Sequence, residues 1–268
     1  MVIDLAGLTR FVRSDDAVSP VIAMVLILFI VTTAIGVVYI SGLPRIESAK
    51  EGAHMQNMKS VFIVLQGDIK EVAQAPSTTG QARVTKMNMD KGSLYIYNAS
   101  EENGTGYIEY SSGDQIISYE NGAVFMRYSY QDYAEIISDP MMYVIVDEDD
   151  ITHVHIHGIT VRGIDTGGSV GGSGSVQIRL KRGNVTESEE MSMNEVTFVV
   201  EDSMFYRGWY DYFDNMLEKS DLDDTANEYD ITKDEATKTT TVKIVGKDDT
   251  SSHDVIVYYK ETEVIAQL

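Results

Sequence analysis

Residues 17–44 carry no charged side chain, and they lie close to the start of a 268-residue chain. Within them, residues 18–40 are dominated by Val, Ile, Leu, Ala, Met and Phe. At roughly 1.5 Å of rise per residue, a helix of that length crosses a hydrocarbon layer of about 30 Å. A cleaved secretory signal has a shorter apolar core of about 7–15 residues, followed by a small-residue cut site. The stretch is too long for that, and it predicts a helix that stays on the chain. Ser19 can cap the free backbone N–H groups of the first turn, and Pro20 at the first helical position sacrifices no hydrogen bond. Gly36, Ser41, Gly42 and Pro44 predict the helix end. The flanking charges divide over orientation, since Arg10 and Arg13 precede the helix and Arg45 lies just beyond it.

The rest of the chain has to live with a formal charge of −21 and no basic cluster. That balance excludes a nucleic-acid partner, because nothing is available to neutralise phosphates. It suits an exposed, soluble surface. The chain has no Cys, so neither a disulfide framework nor thiolate chemistry is possible.

Beyond Pro44 the pattern becomes amphipathic. Met58, Val61, Phe62, Leu65, Ile69 and Val72 recur at three- and four-residue steps, which predicts a one-faced helical stalk over residues 45–76. Ala75-Pro76 ends it, and Ser77-Thr78-Thr79-Gly80 reads as a linker. From residue 82 to 200 short alternating runs predict strands, with Asp90-Lys91-Gly92 and Asn121-Gly122 as turns. A second helix is expected over residues 203–219, where Phe205, Trp209, Phe213 and Met216 share a face, and strands follow it. Tyr206 and Tyr210 fall outside that face and are candidates for an adhesive or inter-subunit surface. The expected fold is α+β: a long N-terminal apolar and amphipathic helix, then a β-rich, sandwich-like head at 77–268 with one further helix.

Few constellations carry chemistry. His153, His155 and His157 alternate with Val154 and Ile156, so a strand places three imidazoles on one face. Same-face neighbours sit about 7 Å apart, wide for one ion unless the strand bends. A metal site there, aided by Asp147-Glu148-Asp149-Asp150, stands against a plain exposed strand face. The acidic run at Asp221 lacks the EF-hand pattern, because its sixth and twelfth positions hold Ala226 and Thr232. The run from Gly167 to Gly174 lacks a phosphate-loop ending and reads as a flexible hairpin loop. No nucleophile motif is present, and neither an enzyme nor a cofactor is expected. Asn98, Asn103 and Asn184 head glycosylation sequons in expected turns.

The junction Asp16-Ala17-Val18-Ser19-Pro20-Val21-Ile22, with the Leu/Ile/Val-rich helix behind it, resembles the N-terminus of archaeal type IV pilins. The Ser-Pro pair separates it from the Gly-rich start usual in archaellins, and Ala23 stands where the pilins commonly have Gly. The resemblance covers about 25 residues. It implies a class III signal peptide at 1–17, cut between Ala17 and Val18 by a prepilin peptidase on the cytoplasmic side. Residues 18–44, beginning Val18, Ser19 and Pro20, would then wait in the membrane and pass into the core of a helical homopolymer. An assembly ATPase and a membrane platform are the further partners it implies. Ala34 and Gly36 would let neighbouring helices approach closely. A membrane-anchored surface protein that binds a ligand and never polymerises would share every feature of the helix.

Overall fold

The computed structural model describes residues 20–76, 82–98, 106–164, 167–188, 190–247 and 255–268. One helix, α1, runs unbroken from Pro20 to Gln74 and contains Pro44. The signals at residues 36–44 do not end it, and the long N-terminal apolar and amphipathic helix expected from the sequence is what forms. A proline in a helix interior removes one hydrogen bond and costs about 3 kcal/mol. The intact ladder on both sides outweighs that local loss. The boundary between two compact units falls within α1, between Ala53 and His54.

In the first unit, α1 buries no side chain over residues 20–53. The large hydrophobics stand outward on every side, from Val21 and Ile22 to Tyr39, Ile40 and Ile46. The second unit is built differently. Here Met55, Met58, Phe62, Leu65, Ile69 and Val72 are buried, on the spacing that the sequence shows. From Met55 on, the stretch read as an amphipathic stalk contributes these side chains to the core. Lipid or a copy of itself can solvate the first half, whereas the second half has an apolar stripe that only a packed partner satisfies.

That partner is a pair of sheets. The first sheet joins β1 (Ala82–Met89), β10 (Gly174–Glu187), β15 (Val255–Gln267), β8 (Thr152–Gly163) and β7 (Met141–Val146) in that order, and β11 (Met191–Met193) adds to β15. The second runs β6 (Ala134–Ser138), β5 (Ala123–Tyr128), β4 (Gln115–Glu120), β3 (Tyr107–Ser112), β2 (Ser93–Tyr97) and β9 (Gly168–Gly171). One hydrophobic cluster combines the helix residues with Ile159, Val161, Ile178 and Leu180 of the first sheet and Leu94, Ile96, Ile108 and Tyr119 of the second.

A third sheet, β12 (Val196–Val200), β14 (Thr239–Ile244) and β13 (Tyr229–Asp234), accompanies the helix α2 (Tyr206–Glu218). Phe205, Trp209, Phe213 and Leu217 bury there with Phe125, Val242, Ile244, Val255 and Val257. The α+β class holds, with a long N-terminal helix, a β-rich unit and one more helix.

The turn chemistry explains how the chain moves between sheets. Asn121 and Gly122 take φ of 48° and 91°, closing a two-residue hairpin in which Glu120 pairs with Ala123. That is the turn predicted for Asn-Gly. Gly92 does something else: β1 and β2 on either side of it belong to different sheets. The chain crosses back at Gly172, whose N–H donates to the Gly92 carbonyl at 2.9 Å. At Gly92, with φ of 118°, a Cβ would lie 2.8 Å from the Tyr110 hydroxyl. The glycine run is corrected too, because Gly168–Gly171 is strand β9 and pairs with β2.

Candidate functional site

The apolar half of α1 is the feature most unlike an ordinary folded unit. Two of its polar side chains are satisfied within the helix. Thr32 Oγ1 donates to the Leu28 carbonyl at 2.9 Å, and Ser41 Oγ to the Val37 carbonyl at 2.6 Å. Those two hydroxyls need no water, which keeps the helix surface around them apolar. A Cβ placed on Gly36 would meet nothing within 4 Å, and Ala34 is exposed. Both leave a shallow place on the helix surface where another backbone can approach. Pro20 is the first described residue and the first of α1. Ala17, Val18 and Ser19, the expected processing junction, lie outside the described residues, as do linker residues 77–80.

Polar groups grip the other half of α1 inside the second unit. Gln66 is buried among the apolar residues of the helix. Its Nε2 donates to the Gly122 carbonyl at 2.6 Å and the Asp139 carbonyl at 3.0 Å, while Ser138 Oγ donates to its Oε1 at 2.6 Å. Arg83 of β1 bridges Asp68 and Glu71, and Thr85 Oγ1 donates to Asp68 at 2.6 Å. The Tyr110 hydroxyl donates to the Lys91 carbonyl, so the 2.8 Å contact with His54 makes His54 Nε2 a donor. These bonds fix the helix rotation as well as its depth. Sequence reasoning passed over Gln66, although a lone amide on the stripe of Phe62, Leu65 and Ile69 was the available signal.

The three histidines do share a strand face on β8, yet each is drawn elsewhere. His153 Nε2 lies 2.9 Å from Asp147 Oδ2, and that bond is the main reason the Asp147 carboxyl sits below its usual range. His155 is stacked between Tyr143 and Tyr258, with ring centroids 4.4 and 4.3 Å away. Burial, then the nearby His153, pushes the His155 imidazole down. His157 Nε2 meets Thr262 Oγ1 at 3.1 Å. Among the described residues no three His, Asp or Glu side chains come together to hold an ion. Of the two readings of His153, His155 and His157, the metal site is not assembled in this structure, because each imidazole has a different partner.

The sequons divide. Asn184 is exposed at a bulge in β10, where the register with β15 shifts between Arg182 and Val185. It stands on a strand and not in a turn. The side-chain oxygen of Asn98 accepts the Gly163 N–H at 2.6 Å, which ties that residue to the fold. Asn103 lies outside the described residues. Of the two tyrosines assigned to a sticky surface, Tyr206 is buried in the second core. The ammonium of Lys233 sits 4.1 Å from the ring centre of Tyr210.

One buried acid has no counterpart in the sequence reading. Glu120, 3 % exposed, accepts from Ser203 Oγ at 2.7 Å and from Trp209 Nε1 at 3.0 Å. Burial pushes its carboxyl up to about 7, against the opposing pull of those two donors.

Comparison with known proteins adds a single match. A model of a family of unknown function, DUF7289, matches residues 17–251. No curated protein and no solved structure matches.

Proposed function

The chain belongs to DUF7289, and we propose that it is a structural subunit of an archaeal type IV pilus-like surface filament. One observation carries this reading. A helix apolar on all sides continues, without a break, into a segment buried in the core of a folded unit. A flexible tether would hold a soluble domain at a membrane equally well. A polymer needs one helix that belongs both to its core and to the head it carries.

The route is assembly and not catalysis. In this reading a prepilin peptidase cuts between Ala17 and Val18, and the leader is discarded. The released helix leaves the bilayer for a bundle of identical helices, driven by an assembly ATPase on a membrane platform. Lipid tails and neighbouring helices are equally apolar, so the transfer costs little hydrophobic energy, and close packing at small residues such as Ala34 and Gly36 decides it. Contacts of this kind are head-to-tail and do not close. The β-rich unit then covers the outside of the filament, and its exposed Asn184 is the favoured place for sugar.

The test is sequencing of the mature N-terminus, followed by negative-stain microscopy of sheared surface material. A chain starting at Val18 and present in filaments is the expected result. An intact leader would overturn the reading. A processed chain that stays in the membrane fraction, with no filament, would replace it with the anchored, ligand-binding alternative.

A further inference from the structure

Strand β12 reads Val196-Thr197-Phe198-Val199-Val200 and contains no charge. Among the described residues it pairs only with β14, so its other edge presents unpaired backbone N–H and C=O groups. Such edges are usually guarded by charge. The edge strands β1 and β13 follow that rule, with Arg83 and Lys86 on one and Asp230, Lys233 and Asp234 on the other. The β7, β9 and β12 edges do not.

Beside β12 runs a cavity of 370 Å³, within the range of about 300–1,000 Å³ typical of ligand sites. All five residues of β12 border it in succession. A side-chain face would contribute alternate residues only, so the strand meets this cavity along its edge. The opposite wall is a sheet face: Ile156, Gly158 and Thr160 of β8, and Val257, Tyr259 and Glu261 of β15, each two residues apart. Met142, Met191 and Met193 complete the lining with adaptable thioether side chains.

We propose that this groove accepts an extended, mainly apolar peptide strand of a partner protein, with a Lys or Arg at the Glu261 end. A lipid or other small amphiphile would fill the apolar wall and leave the β12 backbone unpaired. A polypeptide satisfies both walls at once, its main chain bonding the edge and its alternate side chains entering the pockets around Gly158. Charge selects the cation. Glu195, Glu201 and Asp202 flank β12, with Lys243 bonded to Glu195 at 2.6 Å, and Glu261 lies inside the groove. A second copy pairing β12 with β12 would bring no Lys or Arg on that strand to Glu261.

The probe is a fluorescent peptide of alternating valine and threonine ending in lysine, titrated onto the full chain in nanodiscs, with empty nanodiscs as the control. Saturable binding is expected, weakened at least tenfold when alternate peptide nitrogens are methylated to block strand pairing. Glu261→Gln is expected to weaken the lysine peptide several-fold and to leave a norleucine-ended version unchanged. Absence of saturable binding overturns the proposal. So does equal affinity of the methylated peptide, which would mean that the cavity takes a small apolar molecule. The chain has no cysteine, so a Val199→Cys variant adds one clean readout. Efficient disulfide dimers of that variant, blocking the peptide, would identify a second copy as the occupant and overturn the proposal as well.

Discussion

Replacing Glu120 with Gln should remove a pH dependence that the wild-type fold carries through neutrality. In the native state the Glu120 carboxyl titrates at about 7, against an ordinary value of 4.5, and the leading cause is its burial. Between those two values the folded chain holds this proton and the unfolded chain has released it. Stability therefore falls as pH rises, by about 1.4 kcal/mol per unit. Across the whole window the loss is about 3 kcal/mol. It is fully absent below 4.5 and complete above about 7. For a unit of this size that corresponds to roughly 6–12 °C in melting temperature.

Other groups act in the same range with the opposite sign. The lowered imidazoles of His155 and His157 make the unfolded state the better proton binder near neutrality, so their contribution rises with pH. The informative quantity is accordingly the difference between wild type and Glu120→Gln, measured at pH 5 and at pH 8. A carboxamide oxygen can still accept from Ser203 and Trp209, so the change removes the ionisation and keeps the bonds. Trp209 is the single tryptophan and donates to Glu120 directly, which makes its emission the natural probe of denaturant unfolding. The variant should gain about 3 kcal/mol relative to wild type on going from pH 5 to pH 8. Parallel pH profiles for the two proteins would refute the reasoning.

Gln66→Leu keeps the bulk of the side chain but strands the Gly122 and Asp139 carbonyls and the Ser138 hydroxyl. It should lower the stability of the second unit by about 3 kcal/mol in denaturant titration. Phe62→Ala empties a fully buried site in the first core and should cost about 3–5 kcal/mol by the same measurement. Gly36→Ile, where added atoms meet nothing, should leave unfolding and membrane insertion unchanged and reduce the yield of sheared filaments. Intact mass of the mature chain should exceed the sequence mass, and Asn184→Gln should lower it by one glycan.

Local chemistry was legible wherever one stretch of chain decides the outcome. The Asn121-Gly122 hairpin, the apolar run of α1 and the stripe from Met58 to Val72 are all of that kind. What stayed hidden depends on residues far apart in sequence. Nothing local says that Asp90-Lys91-Gly92 moves the chain between sheets, because the Gly92 carbonyl is bonded from Gly172. The glycine run looked like a loop because four residues with glycine at both ends show too little alternation to read. It forms β9 only because β2 offers an edge. The histidines were placed on the correct face, yet their partners Tyr143, Tyr258 and Thr262 come from strands whose register the sequence does not display.

Pro44 was the most misleading signal, and its failure bears directly on function. Read alone, it separates a membrane segment from a stalk. In the fold, the same helix passes through it and meets two different demands on either side. Up to Ala53 the described residues bury nothing; from Met55 onward the inward face is fully buried. A chain that needed only an anchor would gain nothing from placing Phe62, Leu65 and Ile69 at the centre of its folded unit. Removing residues 55–73 would take that core with it, whereas residues 20–53 contribute nothing to it. The continuity of one helix through both halves, and not any packing of the first, is what the proposed filament subunit draws on.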